Sequence, residues 1–188
     1  LATGTENTYI RMSASAFDDV IGRSIIPVLA NRAQQASDFT TDTTLPEIAR
    51  SSLDMTQGVL TITFTEAVNP GSFTYDEITL QNVATATSQF LSQQLTNATS
   101  LTFAADQESV VIEVSNADLD AIKEFTDFCT ATNNTFLTFG SGLVADIFNV
   151  SIATVNSGSA TQITTFTEDL DAPEPLAFTL DVNSGSLW

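Results

Sequence analysis

The chain has 188 residues, and its five basic and 23 acidic side chains give a formal net charge of −18. Such a charge repels nucleic acid and anionic membrane surfaces, which excludes both as partners. The hydrophobic content of 43% is too high for a disordered acidic tail, so we expect a folded protein.

The inventory of reactive side chains is poor. The sequence has no histidine, which removes the usual general base and transition-metal ligand, and its one cysteine cannot form an internal disulfide. No apolar run approaches the roughly 20 residues of a membrane helix. We therefore expect neither an enzyme nor a membrane-spanning protein. Because the sequence starts at Leu1 rather than at methionine, we expect a processed protein or a fragment.

Short runs in which apolar side chains alternate with threonine or serine predict β-strands along most of the chain. One such run places Leu60, Ile62 and Phe64 on one face and threonines on the other. About seven short strands separated by turn residues are typical of a β-sandwich. In chain order, the predicted strands are 59–65, 78–81, 110–114, 135–139, 150–155 and 163–167.

One short helix is predicted between the third and fourth of these strands. Ser115 is a suitable N-cap, and Asp118 and Asp120 would lie in the first turn, where the helix dipole favours negative charge. Three apolar residues at helical spacing are expected to face the core: Leu119, Ile122 and Phe125.

The sequence contains an internal repeat with an offset of 127 residues. Residues 7–61 and 134–188 are identical at 17 of 55 positions without a gap. The offset predicts that residues 1–44 are the C-terminal half of one repeat and 45–172 a complete repeat. Residues 173–188 are then the first strand of a following repeat, or a strand donated to a neighbour.

Several segments resemble bacterial-type immunoglobulin-like repeats, as found in giant protist and algal cell-surface or extracellular fibril proteins. Residues 53–68 resemble the opening motif of those repeats, and residues 118–123 and 134–139 resemble two later motifs. Residues 146–149 and 19–22 hold the position of an Asp-x-x-Gly-Asn-like turn, each with one departure from it. The resemblance implies an all-β fold of tandem immunoglobulin-like sandwiches on a cell surface, and it implies no catalytic residues.

Three asparagines stand in N-glycosylation sequons within predicted turns: Asn97, Asn133 and Asn149. At the repeat junctions, carboxylates gather around Asp42 and Glu47, and again around residues 168–174. They predict either a solvated acidic linker or calcium bound between repeats. No other metal and no organic cofactor is expected. Cys129 is expected to be a core thiol, with an intermolecular disulfide as the alternative.

These observations favour a structural subunit of an extracellular fibril or surface coat that assembles with copies of itself. In this hypothesis a terminal strand (Phe178, Leu180, Val182 and Leu187) completes the half repeat of the next molecule, whose apolar residues are Ile10, Ile25 and Val28. A second structural version places the chain within a much longer polypeptide. The alternative from another class is an adhesin-type module that binds a glycan or receptor through loop aromatic residues such as Phe73 and Tyr75.

Overall fold

A computed structural model of the chain describes residues 2–172, 180–183 and 186–187. Its secondary structure is mainly β, with one α-helix among these residues, α1 (Asn116–Lys123). The strands in chain order are β1 (Tyr9–Ile10), β2 (Gln34–Gln35), β3 (Ile48–Asp54), β4 (Val59–Phe64), β5 (Ile78–Gln81), β6 (Ser92–Gln94), β7 (Ala98–Phe103), β8 (Ser109–Val114), β9 (Phe136–Phe139), β10 (Thr161–Gln162), β11 (Thr165–Thr167), β12 (Leu180–Asp181) and β13 (Ser186–Leu187).

Residues 48–167 form a β-sandwich around a single apolar core. One sheet has the strand order β11-β3-β4-β8-β7, and the other has the order β10-β9-β5-β6. Alternate residues of each sheet point inward, so that Leu60 and Ile62 of the first sheet share the core with Leu80 and Leu137 of the second. The expectation of an all-β fold is therefore confirmed.

The strand prediction differs from the structure in several places: β3 was not predicted, and the predicted strand 163–167 is shortened to β11. Residues 150–155 do not form a strand: two isolated bridges, at Ser151 and at Val155, tie this stretch to its neighbours. The edge strands β6 and β7 were also not predicted; β6 is polar, whereas β7 carries a short apolar alternation at Leu101 and Phe103. The parallel pairing of β11 with β3 was also not foreseen.

Helix α1 begins as the sequence predicted, but it ends earlier. The Ser115 hydroxyl accepts a hydrogen bond from the Asp118 backbone N–H at 3.2 Å, and Leu119 and Ile122 are buried. The expectation that Phe125 faces the core is wrong, since this side chain is 43% exposed. The helix stops at Lys123, so the helical spacing that would have turned Phe125 inward no longer applies.

The turn between β3 and β4 depends on Gly58, whose φ angle is +68°. A Cβ atom at this position would lie 2.6 Å from Cδ1 of Leu119 in α1. We expect Gly58→Ala to lower the free energy of unfolding by about 2–5 kcal/mol, from left-handed backbone strain plus overpacking. Gly71→Ala is the matched control because its φ angle is not left-handed and its added Cβ would meet only Asn69 Oδ1, at 3.3 Å. Denaturant unfolding of both variants measures these free energies, and equal losses of stability in the two variants would contradict the prediction.

The offset of 127 residues also relates backbone and side-chain hydrogen bonds. The Asn7 side chain accepts from the N–H groups of Thr3 and Gly4 at 2.9 and 3.2 Å. Asn134 accepts from the equivalent two groups at 3.0 and 2.9 Å. The ladder of β1 with β2 has the same register as the ladder of β9 with β10. Residues 2–36 therefore repeat the local structure of residues 129–163.

Candidate assembly surfaces and repeat junction

The first copy of the repeat leaves apolar side chains in solvent that the complete copy buries. Tyr9 and Ile10 are 54% and 53% exposed, whereas their equivalents Phe136 and Leu137 are 9% and 0% exposed. In the complete repeat β9 lies between β10 and β5, but β1 pairs with β2 alone among the described residues. The free edge of β1 and the side chains of Tyr9 and Ile10 are called the open face below.

The other predicted acceptor residues are less exposed than Ile10. Ile25 and Val28 are half-buried, because the backbone of Val28 is bridged to Met12 and the N–H of Ile25 bonds to the carbonyl of Phe17. The structure thus brings Ile10, Ile25 and Val28 into one small β-substructure, in which Ile10 is the most exposed of the three.

The predicted donor segment is described only in part. Phe178 lies outside the described residues, and Val182 is 81% exposed. The strands β12 and β13, which contain Leu180 and Leu187, pair as an antiparallel hairpin. Their register, Leu180 opposite Leu187, is equivalent to Leu53 opposite Leu60 in the hairpin of β3 and β4.

All three sequon asparagines are exposed. Asn97 directly precedes β7, and Asn133 lies in a 3-10 turn, Thr132–Asn134. Asn149 has a φ angle of +68°, and Gly22 holds the equivalent position at +82°. Turn chemistry therefore explains Asn149 without a glycan, since asparagine and glycine are the residues that best tolerate this conformation. Glycosylation stays a prediction at each of these sites.

Cys129 is a buried thiol, as expected. Its side chain is 2% exposed, and burial raises the pKa of the thiol to about 12. A thiol so protonated and enclosed is a poor nucleophile. This environment does not favour the alternative of an intermolecular disulfide.

The carboxylates at the two junctions have different surroundings. At the first junction, Asp42 lies beside Glu66 and Asp146. At the second junction, Asp169 forms an ion pair with Lys123 at 2.7 Å. That hydrogen bond lowers the pKa of Asp169, with a further contribution from the Asp171 backbone N–H.

The loop aromatic residues considered for ligand recognition are partly built into the core. Phe73 packs edge-on against Phe103 with ring centroids 5.5 Å apart, and the Tyr75 hydroxyl donates to the carbonyl of Thr96 at 3.0 Å. No helix in the described part of the chain is long and apolar enough to cross a bilayer.

No protein-family model and no curated protein matches the sequence. Among solved structures, a crystal structure of the S-layer protein rSbsC is similar over 74% of this chain, with 14% sequence identity and a TM-score of 0.41. The chain covers 16% of the length of that protein. A likeness of this degree assigns neither a fold family nor a function.

Proposed function

We propose that this protein is a structural unit of an extracellular fibril or surface coat built from immunoglobulin-like repeats. The observation that carries the proposal is the open face of the first copy. Tyr9 and Ile10 occupy positions that the complete repeat uses for core residues, yet both are more than half exposed. Apolar side chains beside a free strand edge favour the addition of a strand from another repeat.

The fold specifies what a neighbouring repeat has to contribute. A strand equivalent to β5 would pair with the free edge of β1, as β5 pairs with β9. The hairpin of β12 and β13 is instead equivalent to β3 and β4, and β3 pairs with β11. A donated hairpin would therefore lie beside residues 38–40, which correspond to β11. Donation of the hairpin from one molecule to the next, head to tail, then forms one of the contacts that hold the array together. Other repeat segments provide the strands equivalent to β5, β6, β7 and β8.

The proposal includes a non-catalytic role, an extracellular or cell-surface location and the protein itself as the main partner. It also includes N-linked glycans on the exposed sequon asparagines, which would extend into solvent without displacing the core. An adhesin-type module is supported less, because Phe73 and Tyr75 pack against the core instead of presenting a free aromatic surface.

Deletion of residues 176–188 tests the role of the C-terminal segment. We expect the full chain to associate with increasing concentration, and the truncated chain to associate more weakly because it lacks the hairpin. Size-exclusion chromatography with light scattering measures both masses. Circular dichroism serves as the control for folding, since residues 48–167 remain intact. Assemblies of equal size from the truncated and full chains would refute donation of this hairpin.

A further inference from the structure

Three carboxylates from distant parts of the sequence meet at the junction between the first copy and the complete repeat. Asp42 precedes β3, Glu66 follows β4, and Asp146 is bridged through its backbone to Val68. One carboxylate oxygen from each of the three residues lies within 4.8 Å of the corresponding oxygens of the other two. These three residues are called the junction cluster.

Two oxygens of the junction cluster are buried without a hydrogen-bond partner. Asp146 is 1% exposed, and its Oδ1 accepts from the N–H groups of Phe148 and Val150 at 2.8 and 2.7 Å. Its Oδ2 has no partner, and neither has Oε1 of Glu66. Burial raises the pKa of Glu66, and the charges of Asp42 and Asp146 add to that rise. Buried, unpaired carboxylate oxygens are costly, and a bound cation would offset that cost.

In the first copy of the repeat, the carboxylate at the position equivalent to Asp146 has a positively charged partner. Asp19 is equivalent to Asp146, and its Oδ1 accepts from two turn N–H groups in the same way. Its Oδ2, however, pairs with the guanidinium of Arg23 at 2.9 Å. The residue equivalent to Arg23 is Val150, which offers no charge. Both ion pairs of the described residues lie outside the junction cluster.

We propose that Asp42, Glu66 and Asp146 bind one Ca²⁺ ion. Two oxygens that share a Ca²⁺ at about 2.3–2.6 Å stand no more than about 5 Å apart, and the cluster meets this limit. Ca²⁺ prefers several oxygen ligands and tolerates irregular geometry, whereas Mg²⁺ requires a near-ideal octahedron. A cluster without histidine or cysteine does not suit Zn²⁺.

The ion would join two parts of the chain that are otherwise linked by a short connection. Glu66 and Asp146 belong to the complete repeat, and Asp42 belongs to the connection that leads into it from the first copy. Hydrogen bonds from Thr44 lower the pKa of Asp42, which keeps this ligand ionised. The site does not depend on the proposed function, but in an array of repeats it would restrict bending at each junction.

Calcium titration of the full chain, purified with a chelator and held in physiological salt, tests the site. We expect isothermal titration calorimetry to show one Ca²⁺ per chain, and Glu66→Gln to weaken binding by about tenfold or more through loss of a ligand charge. Glu108→Gln is the matched control, because Glu108 is exposed and lies outside the cluster. It should bind Ca²⁺ as the wild type does.

Thermal unfolding gives a second test, in which calcium should reverse the order of the melting temperatures of the wild type and Glu66→Gln. Without calcium, Glu66→Gln should melt about 2–5 °C above the wild type, because it relieves repulsion between the carboxylates. With saturating Ca²⁺ the order should reverse, since only the wild type gains the full binding free energy. Failure of the wild type to bind Ca²⁺ at millimolar concentration, or equal binding by the wild type and Glu66→Gln, would overturn the proposal.

Discussion

Asp118→Asn is expected to lower the free energy of unfolding by about 2–4 kcal/mol, since it leaves buried donors without an anionic acceptor. The Asp118 carboxylate is buried and accepts from the backbone N–H groups of Thr96 and Asn97 at 3.0 and 3.2 Å. It also accepts from the hydroxyls of Thr96 and Ser115, both at 2.9 Å. One side chain thus fixes the start of α1 and the connection from β6 to β7.

The pH dependence of stability gives the same prediction a second test. Burial alone would raise the pKa of Asp118, but the hydrogen bonds from Thr96, Ser115 and Asn97 outweigh burial and lower it. A lowered folded-state pKa contributes stability above the unfolded-state pKa, and this contribution is lost as the pH falls through the folded value. The difference in the free energy of unfolding between the wild type and Asp118→Asn should therefore become smaller below about pH 4.

Asp120→Asn is the matched control for this effect. Asp120 lies in the same helix, but it is exposed. We expect its replacement to change the free energy of unfolding by less than about 0.5 kcal/mol. Urea unfolding of both variants at neutral and acidic pH makes the comparison. A loss at Asp118 no larger than that at Asp120 would show that the buried carboxylate does not anchor the fold.

Ile10→Ser is expected to weaken self-association by about 10–50-fold, which corresponds to the roughly 2 kcal/mol gained when an isoleucine side chain is buried. Ile10 is 53% exposed in the open face, while the equivalent Leu137 is fully buried. Since about half of Ile10 is already exposed in the isolated chain, the substitution should change the free energy of unfolding only slightly. The dissociation constant from a light-scattering concentration series measures the effect.

Val111→Ser serves as the control for Ile10→Ser. Val111 is a partly exposed apolar residue on β8, in a strand paired on both sides, and it is not part of the open face. We expect this variant to associate as the wild type does. Equal weakening by the two substitutions would point to nonspecific association of exposed apolar side chains rather than to a specific contact at the open face.

The sequence predicts the elements whose local pattern and final environment agree. The threonine-alternating run that became β4 buries Leu60, Ile62 and Phe64 as expected, and Ser115 caps the helix. The edge strand β6 was not predicted, because its Ser-Gln-Gln sequence carries no apolar period. Phe125 was placed wrongly because helical spacing was extended past the true end of the helix at Lys123.

The junction cluster shows why the sites are harder to predict than the strands. Asp42 was singled out from its place at a repeat junction, but Glu66 and Asp146 are 80 residues apart in the sequence. They come together through the backbone bridge between Val68 and Asp146, which no local sequence pattern predicts. The internal repeat offered a usable signal, since an arginine follows Asp19 by four residues and a valine follows Asp146 at the same spacing.

The most direct test of the structural role is the mass of the purified wild-type chain, measured by light scattering as its concentration is raised. If the open face is an assembly surface, the mass should rise in steps of one chain, without a closed end point, because head-to-tail contacts of this kind continue indefinitely. A single-chain mass at every concentration, with or without Ca²⁺, would contradict self-assembly through the open face.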